Sequence, residues 1–139
     1  MGLNPEEPPD QNIQKDLSSR GTVLVVDDEP GFCRIVRDIL QAKGFIVLEA
    51  NSVPQAVLQL ESVVPDLLLV DVMMPQIDGL QLVEQLAKDP KWLNTKIVVT
   101  SAKVDASNRM ASWERGADAF LPKPFQAKDL LDVVDYVLS

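Results

Sequence analysis

Residues 23–31 read VLVVDDEPG. Four apolar residues, most of them β-branched, stop at two adjacent carboxylates and then at a proline. Such a run suits a strand buried on both faces, as in a parallel sheet covered by helices on either side. Pro30 suits the first turn of a following helix, where its missing N–H would be unsatisfied in any case. The stretch therefore reads as strand, acidic turn and helix, with Asp27 and Asp28 at the carboxyl end of the strand.

Working outward, FIVLE (45–49), DLLLV (66–70), KIVVT (96–100) and ADAFL (117–121) join TVLVV (22–26) as predicted strands. Between and after them, helical spacing of apolar residues predicts helices over 30–43, 53–63, 79–88, about 105–115 and 126–138. Gly44, Pro54, Gly79 and Gly116 punctuate the predicted helix ends. Strands alternating with helices at this spacing are βαβ units. The expected fold class is α/β, a doubly wound sheet of five parallel strands with five helices. Residues 1–20 hold Pro5, Pro8 and Pro9 and few apolar side chains, which predicts a flexible N-terminal tail ahead of one folded domain over 21–139.

The 139-residue chain carries 21 acidic and 13 basic side chains, a net charge of -8, and no basic stripe that could follow a phosphate backbone. Direct nucleic-acid binding is not expected. No run is long and apolar enough for a membrane span, and MGLNPEEPPD lacks the basic-then-apolar order of a signal peptide, so a cytoplasmic domain is expected. The single cysteine, Cys33, allows no internal disulfide and is expected in the core. The chain has no histidine, which excludes His-based triads and most zinc sites.

In parallel α/β sheets, function gathers at the carboxyl ends of the strands. There the sequence places Asp27 and Asp28 after strand one, Asp71 after strand three, Thr100 and Ser101 at strand four, and Lys123 after strand five. Asp27 or Asp28 alone could simply cap the first helix. Together the acids are harder to dismiss, since two unit charges ~4 Å apart at an effective dielectric of ~20 repel by about 4 kcal/mol. Three carboxylates in one cleft need a cation or must take up protons. Oxygen donors without His or Cys select a hard ion such as Mg2+. A lysine and a hydroxyl suit phosphoryl oxygens, leaving Asp71 as the natural nucleophile for an acyl phosphate.

VLVVDDEP (23–30), DLLLVDVMMPQIDG (66–79), VVTSA (98–102) and GADAFLPKPF (116–125) together resemble the receiver domain of two-component response regulators over nearly all of 21–139. The resemblance implies a flavodoxin-like strand order 2-1-3-4-5. It implies that Asp71 is the phosphoacceptor, that Asp27 and Asp28 organise Mg2+ together with the backbone carbonyl of Met73, and that Thr100 and Phe120 form a switch pair. Lys123 matches the family's lysine, and a cis peptide is implied before Pro124. The implied partners are a sensor histidine kinase or phosphotransfer protein and a downstream protein target or output domain, with dimerisation left open. The surface of the fourth helix, fifth strand and fifth helix would be the output face, with Trp113 an anchor or a partly buried ring. Trp92 is expected to pack over the loop before strand four.

The chain departs from the family at several points. Phe120 lacks a tyrosine hydroxyl, so the switch would rest on packing. Gln76 stands where relatives often have glycine, and Met73 and Ala102 cannot orient an attacking water, which predicts slow self-dephosphorylation. The last helix lacks the charge pattern of receivers that dimerise before binding DNA. A Mg2+-dependent phosphohydrolase of the haloacid-dehalogenase kind would need an acid at Met73. A flavodoxin would need a hydroxyl- and glycine-rich loop where Asp27, Asp28 and Glu29 stand. A receiver-like scaffold without phosphorylation is the remaining alternative.

Overall fold

The computed structural model describes residues 19–72, 79–102 and 106–139, of which 106–108 are described by backbone alone. Met73 and Gln76 lie outside the described residues. The strands are β1 (Thr22–Val26), β2 (Ile46–Ala50), β3 (Leu67–Asp71), β4 (Lys96–Ser101) and β5 (Ala119–Pro122). The helices are α1 (Pro30–Gln41), α2 (Val53–Leu60), α3 (Gly79–Lys88), α4 (Ala106–Arg115) and α5 (Ala127–Leu138), with a short 3-10 turn over Pro90–Trp92. All pairings are parallel and the sheet order is β2-β1-β3-β4-β5. This is the expected doubly wound, flavodoxin-like architecture.

The strands are apolar through most of their length, with polar residues gathered near their ends, because each face meets its own helical layer. Leu24, Val26, Leu68, Val70 and Val99 pack with Leu82, Val83 and Leu86 of α3 and Ala56 and Leu60 of α2. Val23, Val25, Leu67, Leu69 and Val98 pack with Cys33, Val36 and Leu40 of α1 and Leu130, Val134 and Val137 of α5. Cys33 is fully buried, as expected of a lone core cysteine. Trp92 lies in the 3-10 turn just before β4 and packs against the first of these clusters.

Several element ends differ from the expected ones. Helix α1 stops at Gln41 rather than residue 43, where the chain turns with Lys43 N–H donating to the Leu40 carbonyl and Gly44 at φ +95°. Phe45 belongs to this turn, so β2 runs one residue later and its Ala50 pairs with Val26. Helix α2 ends at Leu60, followed by a turn in which Glu61 N–H reaches the Leu58 carbonyl. Strand β5 begins at Ala119 rather than residue 117. The Asp118 carboxylate accepts the Ile97 N–H at 2.7 Å, a side chain standing in for the ladder.

Asp71 and Ser101 are the last residues of β3 and β4, not the residues after them. Glu29 is the N-cap of α1, so neither Asp27 nor Asp28 caps it; Asp27 Oδ1 instead accepts the Glu29 N–H at 3.0 Å.

Candidate functional site at the carboxyl edge of the sheet

The register fixes the site. Val26 is level with Val70, and Asp71 is level with Thr100, so the residues that end β1, β3 and β4 meet at one edge. Asp27, Asp28 and Asp71 each offer a carboxylate oxygen, and these oxygens lie within 4.8 Å of one another. Asp27 is fully buried, Asp71 is buried and Asp28 is exposed, which makes the cluster a cleft open on one side. The loop after β5 delivers the ammonium: Lys123 Nζ donates to Asp27 Oδ2 at 2.6 Å and lies 3.3 Å from Asp71 Oδ2. The Lys123–Pro124 peptide is cis, as the resemblance implied.

Burial raises the Asp27 carboxyl above its ordinary value, with the hydrogen bond from Lys123 opposing that shift only in part. Burial pulls Lys123 down, but its hydrogen bond to Asp27 and the charges of Asp27 and Asp71 outweigh it and leave the ammonium held above its ordinary value. A cationic lysine thus neutralises part of the acid cluster.

Thr100 Oγ1 is buried and, among the described residues, has no hydrogen-bond partner. A buried hydroxyl left unsatisfied costs roughly 1–3 kcal/mol, so it is a group prepared for an incoming acceptor. The donor set passes the test for a hard divalent cation, with oxygen ligands only, net negative charge and an open face.

Sequence reading brought together Asp27, Asp28, Asp71, Thr100 and Lys123, and the structure places them at one edge. Phe120 on β5 is half-buried, packs against the α2–α3 side of the core and carries the Arg109 guanidinium 5.3 Å from its ring centroid. Trp113 on α4 is 51% exposed. Asn51 was missed. It follows β2, the one strand whose carboxyl end was not read for chemistry, and its Nδ2 donates to the Asp27 carbonyl at 3.1 Å. Phe32 was also missed; its ring centroid lies 4.1 Å from Lys123 Nζ.

A five-stranded parallel sheet in the 2-1-3-4-5 order, with an acidic cluster and a lysine at its carboxyl edge, defines a flavodoxin-like α/β domain whose edge offers oxygen ligands for a hard cation. The family model described as response regulator receiver domain matches residues 23–135, and the chain belongs to that family. It is a receiver domain of the two-component response regulators, a family of regulatory phosphoacceptors.

Relatives agree. The chain is 34% identical to the response regulator Rre1 of Synechocystis over 119 residues, 85% of this chain and 52% of that protein. It is 33% identical to the phosphate regulon transcriptional regulatory protein PhoB of Escherichia coli over 116 residues, 84% of this chain and 51% of that protein. The chain therefore spans about half the length of these curated relatives. A crystal structure of a response regulator from Chloroflexus aurantiacus superimposes with a TM-score of 0.79 at 32% identity, covering 85% of this chain and 97% of that one. Among the described residues, no helix is long and apolar enough to cross a membrane.

Proposed function

We propose that Asp71 accepts a phosphoryl group from a histidine kinase or phosphotransfer protein, within a domain spanning 21–139 behind the 1–20 tail. An Asp71 carboxylate oxygen attacks phosphorus, the bond from phosphorus to the donor's imidazole nitrogen breaks, and the donor keeps that electron pair. The observation that carries this reading is the convergence of three carboxylates, the Lys123 ammonium and the unpartnered Thr100 hydroxyl on one cleft.

Asp27, Asp28, Asp71 and the backbone carbonyl of Met73 are the groups that would hold Mg2+. When bound, the ion neutralises the charge of the acids and of the phosphoryl oxygens. Asp27 and Asp71 hold Lys123 over the cleft, and the Thr100 hydroxyl donates to a phosphoryl oxygen. Catalysis in such a transfer is mostly positioning and charge neutralisation, so the chain assists its own phosphorylation. Met73 and Ala102 supply no group to direct water, and the acyl phosphate persists for minutes or longer.

Movement of the Thr100 side chain toward the phosphoryl oxygens vacates space for Phe120, whose ring turns inward without a hydroxyl to bond. The change is read on the face formed by α4, β5 and α5, where Trp113 stands exposed, by a downstream protein or an output domain. The cytoplasm is the compartment proposed for this exchange.

Peptide mapping after incubation with phosphoramidate and Mg2+ tests the assignment. The expected result is a hydroxylamine-labile phosphoryl group, as an acyl phosphate is, on the peptide containing Asp71. A label on any other peptide overturns it.

A further inference from the structure

Lys123 has a third neighbour besides the two carboxylates. The ring centroid of Phe32, in the first turn of α1, lies 4.1 Å from its Nζ, well inside the ~6 Å range in which an ammonium is attracted by the face of an aromatic ring. Phe32 is itself braced. Its ring meets that of Phe125 edge to face, with centroids 5.7 Å apart and planes at 80°. Phe125 sits two residues after Lys123, on the far side of the cis Lys123–Pro124 peptide. The loop that delivers the lysine thus also delivers the ring that steadies the lysine's aromatic wall.

From this stack we infer that Phe32 is a positioning residue for Lys123, holding the ammonium over Asp71 for phosphoryl transfer. The inference rests on Asp71 being the phosphoacceptor and goes beyond it. A lysine stem has many rotamers and a strongly hydrated head, so two carboxylates alone leave it free to follow solvent whenever a phosphoryl donor displaces its contact with Asp71. An aromatic face attracts the cation without competing with phosphoryl oxygens for its N–H donors, as a third carboxylate would. It also excludes water on its own side of the ammonium, where the Lys123 side chain is only 15% exposed. Phe32 is half-buried, so a leucine there preserves most of the packing while removing the ring's quadrupole.

The test compares wild type, Phe32→Leu and Phe32→Tyr. One readout is the rate of acetyl phosphate labelling at saturating Mg2+, resolved into maximal rate and half-saturating donor concentration. The other is the ring-current shift of the Lys123 ε-methylene protons by NMR, without any donor. The expected result is a maximal rate lowered roughly three- to fivefold in Phe32→Leu, the scale of one cation–π contact, and restored in Phe32→Tyr. The Lys123 protons should move downfield in Phe32→Leu only.

An unchanged rate in Phe32→Leu, or an equal loss in both variants, overturns the positioning role while leaving the Asp71 reading intact. Wild type that takes no label at Asp71 overturns that reading instead. The NMR arm then still decides the contact, and an unshifted Lys123 in Phe32→Leu overturns it.

Discussion

Asp27 shows how a single residue is held in an unfavourable place. It is fully buried, yet it has Lys123 at 2.6 Å, the Glu29 N–H on its other oxygen and the Asn51 amide on its carbonyl. The first two offset part of the desolvation that raises its carboxyl, and the third satisfies its backbone. Cys33 is the neighbouring case in which burial outweighs what opposes it. Its thiol is 3.5 Å from the Asp27 carbonyl, and burial together with the charges of Asp27 and Glu49 pushes it up to about 12 from an ordinary 9.0.

An acid raised in the folded state keeps its proton while the unfolded chain loses it, so its contribution to stability is present below pH 9.0 and is lost as pH rises toward 12. The raised Lys123 acts in the same direction, above its ordinary 10.5. Denaturant melts across this range should therefore show stability falling from about pH 9 upward. A Cys33→Ser variant should show a smaller decline, and equal slopes in the two proteins would contradict the account. At pH 8 native Cys33 should resist a thiol reagent that labels the unfolded chain at once.

At the scale of elements, the start of α3 lies against the end of β3 that carries Asp71. Gly79 is the first described residue of that helix, and a Cβ there would lie 2.6 Å from the Asp71 carbonyl oxygen and 3.1 Å from the Val72 Cα. Both obstacles are backbone, so the helix or the end of β3 must shift. Gly79→Ala should cost about 1–3 kcal/mol in urea melts, the range for overpacking a close contact. It should also weaken Mg2+ binding, measured by calorimetry, because the Asp71 end of β3 moves. Full affinity with full stability would show that the approach is not tight.

The strand ends of the sheet were legible in the sequence because parallel βαβ units must bring them to one edge, whatever their separation along the chain. Where Asp118 closes the ladder or Phe45 joins a turn, the ends slipped by a residue or two. A local hydrogen bond, to the Asp118 carboxylate in one case and to the Leu40 carbonyl in the other, decides there what periodicity cannot. The meeting of Phe32 with Lys123 was not legible at all, since it depends on how α1 and the β5–α5 loop pack.

For the whole molecule, two apolar layers clamp the sheet, and the α4–β5–α5 face is where the proposed exchange with other proteins would take place. Trp113 stands on α4 and is 51% exposed, whereas Trp92 lies in the turn before β4 and packs against the core. Phosphorylation should therefore change the tryptophan emission of wild type, and the change should vanish in Trp113→Phe and survive in Trp92→Phe. The reverse pattern would place the conformational response elsewhere.

The central claim is that Asp71 takes a phosphoryl group in a Mg2+-dependent way. Intact mass after incubation with acetyl phosphate, with and without Mg2+, on wild type and Asp71→Asn tests it most directly. The account predicts the gain of one phosphoryl group by wild type with Mg2+ and none by the variant. A gain that survives in Asp71→Asn, or no gain by wild type under either condition, would contradict it.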